Sequence, residues 1–102
     1  MSQLRVTIVD YGMCNLLSVA RAFEHCGAQV SVTDDPNAVA SADRLVVPGV
    51  GAFSDSMKEV TDRGFADSIR DFAQTDRPMF GICVGMQMLF DASEEFGEYA
   101  GL

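Results

Sequence analysis

The sequence predicts an α/β domain: a doubly wound, mostly parallel sheet with helices on both faces, of about four strands. Three observations predict it. Short β-branched or apolar runs alternate with stretches of helical spacing along all 102 residues, the order that builds right-handed crossovers and a parallel sheet. The first, third and fourth runs are almost continuously apolar, as strands covered on both faces are. The residues with chemical potential fall just after those three runs, at the carboxyl edge where such sheets form their sites.

Each element has a local reason. Leu4 to Val9 is a β-branched strand ending at Asp10-Tyr11-Gly12. Asn15 to Cys26 places Leu16, Val19, Ala20, Phe23 and Cys26 at helical spacing, and Gly27 is a suitable stop. Ala28 to Val32 reads as the second strand. Asp34-Asp35-Pro36-Asn37 is a turn into a short helical piece, Ala38 to Ala40. Arg44 to Val47 is the third strand, cut off by Pro48-Gly49-Val50-Gly51. Phe53, Met57 and Val60 mark one helical face; Phe65, Ile69, Phe72 and Ala73 mark another, with Gly64 between them. After the turn Asp76-Arg77-Pro78 comes a fourth strand, Met79 to Ile82, then a helix from Val84 to Phe90 and a loop from Ser93 to Glu98. No repeat, low-complexity tract or linker interrupts residues 1–102, which read as part of one domain.

Seven basic against fifteen acidic residues give a net charge of −8, which argues against nucleic-acid and anionic-membrane partners, since both demand basic patches. No apolar run has the length of a membrane span, and Met1 to Leu4 lead directly into a strand. A cytoplasmic location follows. The cysteines, Cys14, Cys26 and Cys83, are odd in number and unevenly spaced, with His25 the only histidine. Neither a zinc site nor a disulfide framework is supported, and no metal or cofactor is expected.

The segment Phe80-Gly81-Ile82-Cys83-Val84-Gly85-Met86-Gln87 puts a cysteine between two glycines where a buried strand gives way to a helix. That is the pattern of a nucleophile elbow, with sulfur in place of the usual serine oxygen. The turn is sharp and crowded, so the flanking positions have no room for side chains. The following helix aims free N–H groups and its positive end at the sulfur, which favours the reactive thiolate. The competing reading is an inert cysteine in a glycine-containing turn.

A thiolate that attacks a carbonyl creates an oxyanion, which needs donors already in place. One is the backbone N–H of Val84, the residue after the nucleophile. The other is an N–H of the loop after strand three, at Val50 or Gly51. The same loop also reads as an ordinary strand-ending turn. A cysteine nucleophile in acyl transfer usually works with a histidine and an orienting carboxylate. His25 lies at the far end of the first helix, which runs antiparallel to the strands. It is therefore expected at the edge opposite Cys83, roughly 16 Å away for a helix of that length.

Three blocks together resemble a known family, the class I (triad-type) glutamine amidotransferases. They are Val9-Asp10-Tyr11-Gly12-Met13-Cys14-Asn15-Leu16, Val47-Pro48-Gly49-Val50-Gly51-Ala52-Phe53, and Gly81-Ile82-Cys83-Val84-Gly85-Met86-Gln87-Met88-Leu89-Phe90 with Ser93-Glu94-Glu95 behind it. Within the family the likeness is to glutaminase subunits that supply ammonia to a (β/α)8-barrel cyclase of histidine biosynthesis. The resemblance implies a flavodoxin-like sheet, with Cys83 attacking the side-chain amide of glutamine, forming a γ-glutamyl thioester and releasing ammonia. It implies that Gly49, Gln87 and Glu95 help hold the substrate, that Gly49 to Gly51 form the oxyanion strand, and that Asp10, Tyr11, Gly12 and Asn15 face the cyclase. Cys14 departs from the family, which usually has a second glycine there.

Members of the family run to about twice this length, so the resemblance also implies that residues 1–102 are the amino-terminal half of one amidotransferase domain. The catalytic His and Glu would then lie in the other half. The fragment is expected to be inactive alone and, with its fourth strand unpaired, to self-associate through that edge. Two alternatives stay open at this point: a paralogous amidotransferase serving another acceptor, and a non-enzymatic module of the same fold that uses Cys83 as a sensor.

Overall fold

The computed structural model describes residues 4–12 and 15–102. Its elements follow the order β1 (Arg5–Val9), α1 (Leu16–His25), β2 (Gln29–Thr33), α2 (Pro36–Val39), β3 (Leu45–Val47), α3 (Phe53–Asp62), α4 (Phe65–Ala73), β4 (Met79–Gly81), α5 (Val84–Gln87), β5 (Ala92–Ser93) and β6 (Tyr99–Ala100). The main sheet has the order β2-β1-β3-β4, and every pairing in it is parallel. β1 thus lies inside the sheet and β4 at its edge.

Alternation along the strands sorts side chains between two layers. Val6, Ile8 and Val46 turn to one face, where Leu16, Val19, Ala20 and Phe23 of α1 cover them. Val9, Leu45 and Val47 turn to the other, beneath Phe53 and Val60 of α3 and Phe65, Ile69 and Phe72 of α4. α3 and α4 meet at Gly64, whose φ of +81° makes the corner. At the lower edge Arg77 donates to the carbonyls of Ala40 and Ala42 at 2.8 and 2.6 Å and lies 4.5 Å over the Phe72 ring.

Two elements differ from the sequence-based expectation. The helix after the elbow is regular only over Val84–Gln87; beyond it the N–H groups of Leu89 and Phe90 reach back three residues, to Met86 and Gln87, so the last turn is tightened. The expected loop after Ala92 is the tip of a small antiparallel hairpin, β5 with β6. It is held down where Gly101 and Leu102 donate backbone hydrogen bonds to Asp91 and Met88 at 2.8 and 2.7 Å. Two-residue strands carry too little periodicity to be seen in a sequence. Among the described residues no helix is long and apolar enough to cross a membrane.

Candidate active site

Three loops meet at the carboxyl edge of the sheet. Gly81 at the end of β4 is in register with Val47 at the end of β3, and the Ile82 N–H donates to the Val47 carbonyl at 3.0 Å. Cys83 therefore stands beside the loop Pro48 to Gly51. Its backbone lies at φ 55°, ψ −122°, a conformation rare outside glycine, and the residue is exposed. Val84 and Gly85 behind it are buried. The elbow thus lifts the sulfur clear of the sheet while anchoring the turn that carries it.

The two glycines of the elbow are there for space. A Cβ on Gly81 would come within 2.5 Å of the Met86 Cα, and one on Gly85 would overlap the Val47 carbonyl. The reciprocal surface is Gly49, where a Cβ would fall 2.5 Å from the Gly85 nitrogen and 2.7 Å from the Tyr11 hydroxyl. The loop after β3 and the helix after the nucleophile are thus in backbone contact. The N–H groups of Val50, Gly51 and Val84 have no acceptor among the described residues.

The loop is tied at both ends. Tyr11, fully buried, donates its hydroxyl to the Pro48 carbonyl. Glu95 Oε1 accepts from the Phe53 N–H at 3.0 Å, capping α3, whose own N-cap residue Ala52 offers no side-chain bond. A carboxylate at a helix amino terminus is favourably placed.

The other expected site residues are distributed as follows. Gln87 is exposed one turn beyond Cys83, on the same side of α5. Asp10 accepts from the Gly12 N–H at 3.0 Å, closing a local turn. Arg63 lies against Gly12; its hydrogen bond to Glu59 raises its pKa, and Asp10 acts in the same sense. Asn15 is the N-cap of α1, accepting from the Ser18 N–H at 3.4 Å. Asp10, Gly12 and Asn15 reach the surface, whereas Tyr11 faces inward as a brace. Cys14 lies outside the described residues.

His25 ends α1, beside the start of β2, and Gln29 of β2 is in register with Arg5 at the beginning of β1. It is at the edge opposite Cys83, and the described residues bring no histidine to the sulfur. Among them no three His, Cys, Asp or Glu residues form a metal-binding group. Sequence reasoning missed Ser56. It is fully buried on α3 and donates to the Val50 carbonyl at 3.2 Å. The signal was present, since a serine three residues after Phe53 falls on the apolar face.

A family model described as glutamine amidotransferase class-I matches residues 7–97. The imidazole glycerol phosphate synthase subunit HisH 1 of Legionella pneumophila strain Paris is 54% identical over 97 residues, covering 95% of this chain and 46% of that protein. The HisH subunit of Syntrophotalea carbinolica is 53% identical over 97 residues, covering 95% and 47%. The chain thus spans about half the length of the curated relatives it matches. Among solved structures, a GMP synthase candidate from Thermoplasma acidophilum superposes with a TM-score of 0.69 over 91% of this chain and 48% of that one, at 23% identity. The likeness is one of fold.

Proposed function

The chain belongs to the class-I glutamine amidotransferase family, and from that membership we propose that it is the nucleophile-bearing part of the glutaminase subunit of imidazole glycerol phosphate synthase. The observation that carries the proposal is the contact between the elbow and the loop after β3, with an exposed Cys83 at φ 55°. The Cys83 thiolate attacks the glutamine side-chain carbonyl carbon. The oxyanion is received by the N–H of Val84 and an N–H at Val50 or Gly51. The amide nitrogen leaves as ammonia, and water hydrolyses the γ-glutamyl thioester to glutamate.

In this proposal Gln87 and the backbone of Gly49 line the glutamine site. Glu95 has one carboxylate oxygen on the Phe53 N–H and the other for the substrate ammonium. The histidine that takes and returns protons, and its orienting glutamate, come from the part of the family domain that residues 1–102 do not include. Asp10, Gly12 and Asn15 face a (β/α)8-barrel cyclase, which consumes the ammonia in the cytoplasm. HisH identities of 53–54% support this acceptor over that of a paralogue.

The test is glutamine hydrolysis by the complete subunit with its cyclase, and by its Cys83→Ser variant. Turnover is expected to fall at least a thousandfold in the variant, as it does when a nucleophile is removed from such a unit. Residues 1–102 alone are expected to show none. Turnover surviving in Cys83→Ser would refute the assignment. Fast alkylation of Cys83 without labelling by a glutamine-mimicking diazoketone would favour the sensing alternative.

A further inference from the structure

Arg63 is the C-cap of α3 and carries its guanidinium over the loop after β1. The loops after β1 and β2 are neighbours there, since the Asp10 N–H donates to the Thr33 carbonyl at 2.8 Å. A Cβ on Gly12 would fall 2.7 Å from Arg63 Nη2 and 3.0 Å from its Cζ, so the guanidinium fills the space that a side chain at position 12 would occupy. On its other side Arg63 Nε donates to Glu59 Oε2 at 2.9 Å, its one ion pair among the described residues. The guanidinium is thus fixed between the backbone of Gly12 and the carboxylate of Glu59. Its terminal nitrogens, Nη1 and Nη2, have no acceptor among the described residues, and the side chain is 49% exposed.

An arginine that merely solvates a surface keeps its rotamers, whereas this one has already given most of them up. A ligand meeting the two terminal nitrogens therefore has little ordering left to impose. The fork that those nitrogens form matches the two oxygens of a carboxylate. The surroundings make the position selective. Asp10 and Asp34 lie close enough to act on the Arg63 charge, so an anion that arrives beside the fork rather than on it is repelled. We propose that Arg63 is a docking residue: its guanidinium, held against Gly12 in the loop that faces the cyclase, receives an aspartate or glutamate carboxylate of the cyclase. The inference rests on the glutaminase function proposed above, which turns Asp10, Gly12 and Asn15 toward that partner.

The experiment is calorimetric titration of the complete subunit with its cyclase. Arg63→Met, which keeps the stem and loses the charge, is expected to raise Kd about tenfold or more, as truncating one partner of an interfacial charge pair does. Arg63→Glu, which sets like charges against each other, is expected to raise it about a hundredfold, and its penalty should shrink as salt is added. Arg63→Lys keeps the charge and loses the fork, and should fall between Arg63→Met and the parent. Because the pair with Glu59 is exposed, Arg63→Met should melt with the parent, so the loss is one of docking and not of folding. Folded Arg63→Met and Arg63→Glu proteins that bind the cyclase within about twofold of the parent overturn the proposal. So does an Arg63→Lys protein that binds as tightly as the parent, and so does a loss confined to KM for glutamine at saturating cyclase. The two failures are distinguishable. A parent complex whose turnover requires Cys83 and whose affinity ignores Arg63 removes the docking residue alone, whereas turnover that survives Cys83→Ser removes the glutaminase function.

Discussion

The two faces of the sheet are covered very differently. One lies beneath α3 and α4 and seals fourteen buried residues in one cluster, Tyr11, Phe53, Phe65 and Phe72 among them. The other is covered by α1 alone and buries three, Val6, Ile8 and Val46; no residue of α1 is itself buried. The thin side opens further toward β4, where Phe80 remains 59% exposed although its ring meets Phe23 edge-on at 6.1 Å. A groove of about 270 Å³ runs there between Ala22, Phe23, Cys26, Phe80 and Ile82. The elbow and its neighbours sit on the well-covered side: Val84 and Met88 of the elbow segment, Tyr11, Ser56 and Glu95 all brace against the α3 layer or the loop leading into it. The loop after β3 is thus held by the part of the molecule that supplies most of the apolar burial.

The largest expected difference comes from matched truncations. Phe72→Ala, which empties a fully buried site, should destabilise by about 3–5 kcal/mol in denaturant titration. Phe23→Ala should cost about 1–2 kcal/mol, because less apolar area leaves water there. Equal losses would mean that both faces support the fold alike. A smaller effect is expected at the edge. Phe80→Lys should leave the midpoint of unfolding almost unchanged, yet shift residues 1–102 from self-associated toward monomeric species in light scattering, since a charge on an edge strand blocks edge-to-edge pairing. A monomeric starting protein would remove the edge as an association surface. The smallest effect concerns the exposed pairs Lys58–Asp62 and Arg63–Glu59, one turn apart on α3. Replacing Lys58 by Met should move Tm by no more than the error of measurement, because such pairs are weakened by water and salt.

The same asymmetry governs how much of the molecule was legible. β1 and β3 read as strands because they are flanked on both sides, and their apolar runs carry that fact. β4 read the same way, but in the described structure it is only half covered, because an apolar run records the burial a strand is suited to rather than the burial it receives. The elbow was legible for a different reason. Gly81 and Gly85 mark places where a methyl group would collide with backbone, a constraint written into residue identity. The braces were not legible. Tyr11 read as surface because a tyrosine after a strand gives no sign that its hydroxyl will reach Pro48, 37 residues away. The resemblance read Glu95 as a residue that helps hold substrate, and gave no sign that its carboxylate would cap a helix 42 residues earlier in the chain. Long-range side-chain ties depend on how the loops fold over one another, and no local pattern announces them.

The backbone at Cys83 carries one more implication. A glycine would occupy φ 55°, ψ −122° without steric penalty, whereas a side chain there carries a burden of about 1–3 kcal/mol. The native state is therefore less secure than the same fold with a bare methylene at position 83. A domain whose margin over the unfolded chain is only about 5–15 kcal/mol gives up a measurable share of its endurance to keep a sulfur atom at that corner.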